Sequence, residues 1–222
     1  MEVFRPLLEM ARAYHSAATG ATAEAHSAIE RAAEAARRSG VTTGELEALH
    51  TGLRFGMEPD VSRFKTLAEQ LNSPIATLAA EHAESVVDGD GDALDRVAGE
   101  WESLGMMAHA ADAYAAAAVA HRRAGTRLPG LQSSSRAHWL VSNFGLHTPA
   151  TATGGVPLPL SGREREIAVL VANGLPNKQI AQHLVVSVRT VEGHLYRIYK
   201  QLGISDREQL IRLMRNVDPD VR

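Results

Sequence analysis

The stretch from Leu160 to Met214, LSGREREIAVLVANGLPNKQIAQHLVVSVRTVEGHLYRIYKQLGISDREQLIRLM, constrains the fold more than any other part of this chain. Helix starts, helix stops and apolar stripes follow one another there at the intervals of a helix-turn-helix. Ser161 and Glu164 stand at the spacing of a capping box, in which each side chain satisfies a backbone N–H that the first helical turn leaves unpaired. Ile167, Leu170 and Val171 then recur at the i, i+3, i+4 spacing of one helical face, and Gly174 supplies a left-handed stop. A helix is expected over 163–173. Pro176 presets φ for a second over 177–184, with Ile180, Ala181 and Leu184 on one side. Only Val185 and Val186 separate it from Ser187, the N-cap of a third helix. A connection this short makes the pair cross steeply, and Ala181 is small enough to permit close approach.

The third helix, 188–202, carries two stripes. Val191, Leu195, Ile198 and Leu202 recur at i, i+4, i+7, i+11 and should face a core, leaving Arg189, Glu192, Gly193, Tyr196 and Lys200 on the opposite side. Gly203 ends this helix, and Ser205 with Glu208 forms a second capping box. Leu210, Ile211, Leu213 and Met214 make the last helix too apolar for its length, a surplus that covers a core or a partner.

With Leu160, Arg163, Glu164, Glu166, Gly174, Asn177, Lys178, Ile180, Ala181, Leu184, Ser187, Thr190, Val191, His194, Leu195, Leu202 and Gly203 in register, the segment resembles the LuxR-type (GerE-like) DNA-binding domain of bacterial transcription regulators. The resemblance implies four helices, the third entering the major groove of double-stranded DNA and the fourth forming a homodimer contact. Carried onto this chain, it implies base-edge contacts from Glu192, Gly193 and Tyr196 and backbone contacts from Lys178, Ser187, Arg189, Thr190, Arg197 and Lys200. Dimerisation would fall to Leu210, Ile211 and Met214. Residue chemistry agrees: cations release counterions on neutralising phosphates, while base edges are read by groups such as a carboxylate accepting from cytosine N4 or a tyrosine ring against a thymine methyl. Gly193 costs about 1 kcal/mol of helix propensity relative to alanine, for which close approach to DNA is one reason. His194, between Val191 and Leu195, is expected to pack or bond internally rather than to bind metal, because no second ligand stands at metal spacing.

Charge divides the chain. Residues 1–150 hold 13 Lys+Arg against 19 Asp+Glu, and residues 151–222 hold 10 against 7, so only the C-terminal part has the sign that suits a polyanion. The excess is small, which makes a dimer that doubles the phosphate contacts attractive. There is no cysteine, hence no disulfide or thiolate chemistry. No apolar run reaches the roughly 20 residues that a membrane helix needs, and Glu2 and Glu9 interrupt any signal-peptide pattern, so a cytoplasmic location in a bacterium is expected.

Residues 1–145 are alanine-rich and punctuated by Gly20, Gly40, Gly56, Pro59, Pro74, Gly89, Gly105, Gly125 and Pro129. Helices are expected over 2–18, 22–39, 43–55, 60–71, 74–88, 91–104, 106–125 and 131–144. The piece Trp101 to Gly125 has the small-residue and aromatic pattern of a tetratricopeptide-like pair, with Ala110, Ala111, Ala117 and Ala118 at close approaches and Trp101 and Tyr114 filling gaps. The fold class expected is all-α: tetratricopeptide-like hairpins over 1–145, a flexible Pro/Thr/Gly tether over 146–159 and the four-helix domain over 160–216. Such an arm resembles the one that precedes the reading domain in large ATP-binding LuxR-type regulators, and implies a protein or small-molecule partner there. No G-x-x-x-x-G-K-[ST] occurs, so no nucleotide cofactor site is readable. The chain is then either the C-terminal part of a longer regulator, which Met1 opening directly into a helix favours, or a short one.

Asp88, Asp90 and Asp92 alternate with other residues as in a calcium loop, but Ala93 and Gly99 replace the glycine and glutamate such a loop requires, and a helix-capping turn is expected instead. No cofactor or metal follows from the sequence. The ten histidines are scattered, and no nucleophile, base and orienter can be assembled from spacing, so the chain does not read as an enzyme. Two rivals remain: a helical-repeat scaffold whose C-terminal helices are structural, and a sigma-factor region, which would leave the apolar last helix and the alanine-rich arm without a purpose.

Overall fold

The computed structural model describes residues 4–218, which form thirteen helices and no strand. The arm comprises α1 (Arg5–Ala18), α2 (Thr22–Arg38), α3 (Thr42–Arg54), α4 (Val61–Leu71), α5 (Pro74–Asp88), α6 (Gly91–Ser103), α7 (Met107–Ala124) and α8 (Arg127–Phe144). A short α9 (Pro149–Gly154) leads to the reader: α10 (Gly162–Ala172), α11 (Asn177–His183), α12 (Val188–Leu202) and α13 (Arg207–Val217). Residues 2 and 3, the expected beginning of the first helix, lie outside the described residues.

Alanine makes the arm possible. Its methyl group costs no side-chain entropy in a helix and lets backbones come close, and Ala110, Ala111, Ala117 and Ala118 are all fully buried where α7 lies between α6 and α8. The space left over is filled by a few large side chains, among them Trp101, Phe64, Leu67 and Leu140, each with at most 1% of its surface exposed. Most successive helices pack on one another, and α3 also reaches α1, α5 and α7.

Four expectations change. Helix α8 starts at Arg127 rather than at residue 131, because Pro129 falls in its first turn, where a missing N–H costs nothing. The cap of α13 is Asp206, accepting from Gln209 N at 2.8 Å, while Gln209 Oε1 accepts from Ser205 N at 3.0 Å; the cap stands one residue later than the Ser205 and Glu208 pairing, and the return bond goes to the residue before it rather than closing a capping box. Asp90 accepts from Ala93 N at 3.0 Å and caps α6, the turn expected of that aspartate run.

The third change concerns the expected tether. Thr148 and Thr151 form a complete capping box for α9, and Ser134 Oγ of α8 donates to Gly154 O at 2.6 Å and accepts from Val156 N at 2.9 Å. A Cβ on Gly154 would fall on the Ala115 backbone, so only glycine lets α9 lie this close to α7. Leu158, 2% exposed, then enters the reader's core. The fourth lies in the last helix: Leu210 and Met214, expected at a dimer contact, are 0% and 3% exposed. Leu210 belongs to the reader's own core, Met214 is buried where α8 crosses α13, and Ile211 alone keeps partial exposure.

Candidate nucleic-acid interface

Ser161 Oγ accepts from Glu164 N at 3.4 Å, and the Glu164 carboxylate accepts from Ser161 N at 2.9 Å, the reciprocal box expected at the start of α10. Ser161 Oγ also donates to that carboxylate at 2.7 Å, and the bonds it receives from Ser161, with the charge of Arg197 nearby, hold the Glu164 carboxyl below its usual range despite burial. Ile167, Ala168, Val171 and Ala172 turn inward from α10, Ile180 and Ala181 from α11, and Val191, Leu195, Ile198 and Leu202 from α12. Each large side chain among them contributes about 1.5–3 kcal/mol by burial. Together they fix the angle at which α12 is presented.

Two arginines hold that geometry: Arg163, which sequence reading names only as part of the resemblance, and Arg207, which it passes over. Arg163 Nη2 donates to Leu184 O at 2.9 Å, tying α10 to the end of α11, and Arg207 Nη2 donates to Leu175 O while its Nη1 donates to Asn177 Oδ1 at 3.1 Å. No spacing rule identifies them, because their acceptors are unpaired helix-end and turn carbonyls whose positions only the folded chain defines. The turn between α11 and α12 is unusual as well. Val185 has φ 53°, a left-handed conformation that a β-branched residue adopts at a cost, and it stands 90% exposed.

Every residue expected at a base edge or phosphate is exposed: Lys178 on α11, Ser187 before α12, and Arg189, Thr190, Glu192, Gly193, Tyr196, Arg197 and Lys200 along α12. Tyr196 is 69% exposed, large for a tyrosine with no packing role. Lys178, Arg189, Glu192 and Lys200 have no hydrogen-bond or ion-pair partner among the described residues. Ser187 Oγ accepts from Thr190 N at 3.0 Å, as its N-cap role requires, and lies 2.8 Å from Thr190 Oγ1. Arg197 is different: its Nη2 donates to His194 Nδ1 at 2.9 Å, and its Nε lies 3.8 Å from Glu164 Oε1. His194 therefore bonds internally, as expected, and holds a cation at the rim of the exposed stripe.

A glycine in mid-helix normally reports an internal constraint, and here there is none. Gly193 does not have positive φ, and a Cβ built on it meets nothing within 4 Å. No contact among the described residues accounts for the missing side chain.

Among the described residues, Asp92, Asp95 and His121 bring ligand-type atoms within 4.8 Å of one another, with His121 Nε2 3.0 Å from Asp95 Oδ2.

Two helices in short succession, the second with a buried apolar edge and an exposed polar, cationic one, define a helix-turn-helix reader. Residues 158–214, about a quarter of the chain, match the family described as "Bacterial regulatory proteins, luxR family", and this domain is of that type. Over 52 residues, 23% of this chain, it is 48% identical to an HTH-type transcriptional regulator of Mycobacterium bovis, and equally to the oxygen regulatory protein NreC of Staphylococcus aureus. The matched segment spans 6% of the length of the first and 24% of the second. No solved structure matches the chain. No helix among the described residues is long and apolar enough to cross a membrane.

Proposed function

We propose that this chain is a sequence-specific, DNA-binding transcriptional regulator, working on the bacterial chromosome in the cytoplasm, with α12 seated in the major groove. The observation that carries the reading is the exposed edge of α12, where free cations flank Glu192, Gly193 and Tyr196. Lys178, Arg189 and Lys200 neutralise phosphates and fix register, and Ser187 and Thr190 add hydroxyl contacts at the N-terminus of α12, whose dipole favours an anion. Arg197 joins them once it leaves His194. Glu192 and Tyr196 face base edges, and Gly193 lets the helix backbone come near. The regulator acts as a homodimer on paired half-sites, through α13 after that helix is freed from α8. None of these roles is enzymatic.

A salt titration of binding to genomic fragments tests the reading. Log affinity falls linearly with log salt, and Lys178→Ala or Lys200→Ala lowers the slope by about one and weakens all sites alike. Glu192→Ala or Tyr196→Ala instead changes which sequences are preferred. A flat salt response in the wild type rejects the proposal in favour of a helical scaffold.

A further inference from the structure

Between α7 and α9 lies a cavity of about 300 Å³, at the lower end of the range of roughly 300–1,000 Å³ that small-molecule sites occupy. Leu53, Phe55, Leu94 and Val119 give it an apolar lining, and alanines of α7 line it with little bulk. Three polar groups within it cancel or are neutral. Arg54 Nε donates to Asp112 Oδ2 at 2.7 Å, both side chains at least 96% buried, and Thr148 Oγ1 donates to the second carboxylate oxygen. Burial, with Arg54 and His109 nearby, pushes the His82 imidazole down to about 3, so it carries no charge near neutrality. Arg123 remains. It lines the same cavity, is exposed, and has no partner among the described residues.

The lining therefore offers an apolar body a place to bury itself and one exposed cation without a partner among the described residues. We propose that this cavity binds a small organic carboxylate with an aromatic or branched apolar body, its carboxylate paired with Arg123. Charge complementarity selects the anion, since it alone can form a charge-assisted bond with Arg123, which a cationic ligand would repel and a neutral one would leave to water.

The position of the cavity gives such a ligand a consequence. Pro149, Ala150 and Thr153 of α9 form one wall, and α9 leads within a few residues to Leu158 in the reader's core. A ligand spanning α7 and α9 holds the connecting segment against the arm, and stabilises that arrangement by mass action. That this affects DNA binding rests on the regulator reading above; the binding itself does not.

Calorimetric titration of the full chain with phenylacetate, phenylacetamide and phenethylamine tests the site. Phenylacetate binds, its amide binds at least about tenfold more weakly, equivalent to about 1.4 kcal/mol, and the amine weaker still. Arg123→Gln reduces phenylacetate to the level of the amide. Ala116→Phe, at a half-buried position lining the cavity, abolishes both while leaving helix content and thermal unfolding intact. Absence of phenylacetate binding, or binding indifferent to Ala116→Phe in a folded variant, overturns the proposal. DNA binding measured on the same samples keeps the two readings apart: carboxylate binding without DNA binding rejects only the regulator, and the reverse rejects only this site.

Discussion

At Gly193 local stability and the proposed DNA contact pull in opposite directions. A helix interior disfavours glycine by about 1 kcal/mol, and neither φ nor a neighbouring atom within 4 Å forbids a side chain there. Gly193→Ala should therefore raise the thermal stability of the protein. If the backbone of α12 seats close to the duplex, the same methyl group stands between them, and affinity for the preferred site falls about tenfold, or about 1.4 kcal/mol. Thermal unfolding and DNA affinity measured on one preparation check both halves. Affinity that stays level while stability rises would remove close approach as the reason for this glycine. The argument could be started from sequence, since a mid-helix glycine is visible there, but the open space around it could not.

Legibility differs from element to element for physical reasons. Helix α12 was readable in full because its apolar positions repeat at the helical period and both caps are local, Ser187 at one end and Gly203 at the other. Helix α9 was not: threonine, proline and glycine suit a tether equally well, and what fixes the segment is the fit of Gly154 on Ala115 and the bonds from Ser134, contacts distant in sequence. The arm's histidines were likewise unreadable, being scattered along the chain and gathered only by folding. His50 Nε2 lies 3.0 Å from His82 Nδ1, and the His50 ring stacks on His109 at 5.2 Å and lies 5.3 Å from Trp101. Burial, reinforced by the charge of Arg54, holds His82 and His109 down to about 3 and His50 well below its usual value. The sign follows directly. All three are neutral in folded and unfolded chains above about 6.5, so their contribution is complete there. As pH falls from about 6.5 towards 3 the unfolded chain takes up protons that the folded arm refuses, and stability drops by about 1.4 kcal/mol per pH unit for each ring at full effect. Asp95 and Asp112, raised by burial, act in the opposite sense, so the observed slope is a lower bound on the histidine contribution. Glu9 and Glu45, held low by their arginines against burial, lose their contribution only below their ordinary value of 4.5. Urea unfolding between pH 7 and pH 5 should show the loss, and His109→Gln should make the dependence shallower. A pH dependence that His109→Gln leaves unchanged over that range would contradict neutral burial of the cluster.

In the whole molecule, the arm grips the reader at two helix ends. Arg127 Nη2 of α8 donates to Gln201 O at the end of α12 at 2.7 Å, and Arg136 Nη1 donates to Val217 O at the end of α13 at 3.2 Å. Both cations meet the negative ends of helix dipoles and satisfy carbonyls that have no helical partner, while Leu128 and Leu131 pack against the reader's core between them. The contact covers α13 and leaves the exposed edge of α12 untouched, so on the proposed function it would oppose pairing through α13 and spare the α12 edge offered to DNA. Single and paired half-sites should then respond differently when the grip is loosened. Arg127→Gln combined with Leu131→Asp removes one end-on bond and places a charge against the apolar seam. It should increase the dimeric fraction in sedimentation and tighten binding to a duplex with two half-sites by about tenfold, with affinity for a single half-site unchanged. Equal tightening on both duplexes would show that the arm restrains α12 itself. No change in the dimer, in a variant whose arm has visibly come away from the reader by small-angle scattering, would show that α13 is not the surface through which two copies meet.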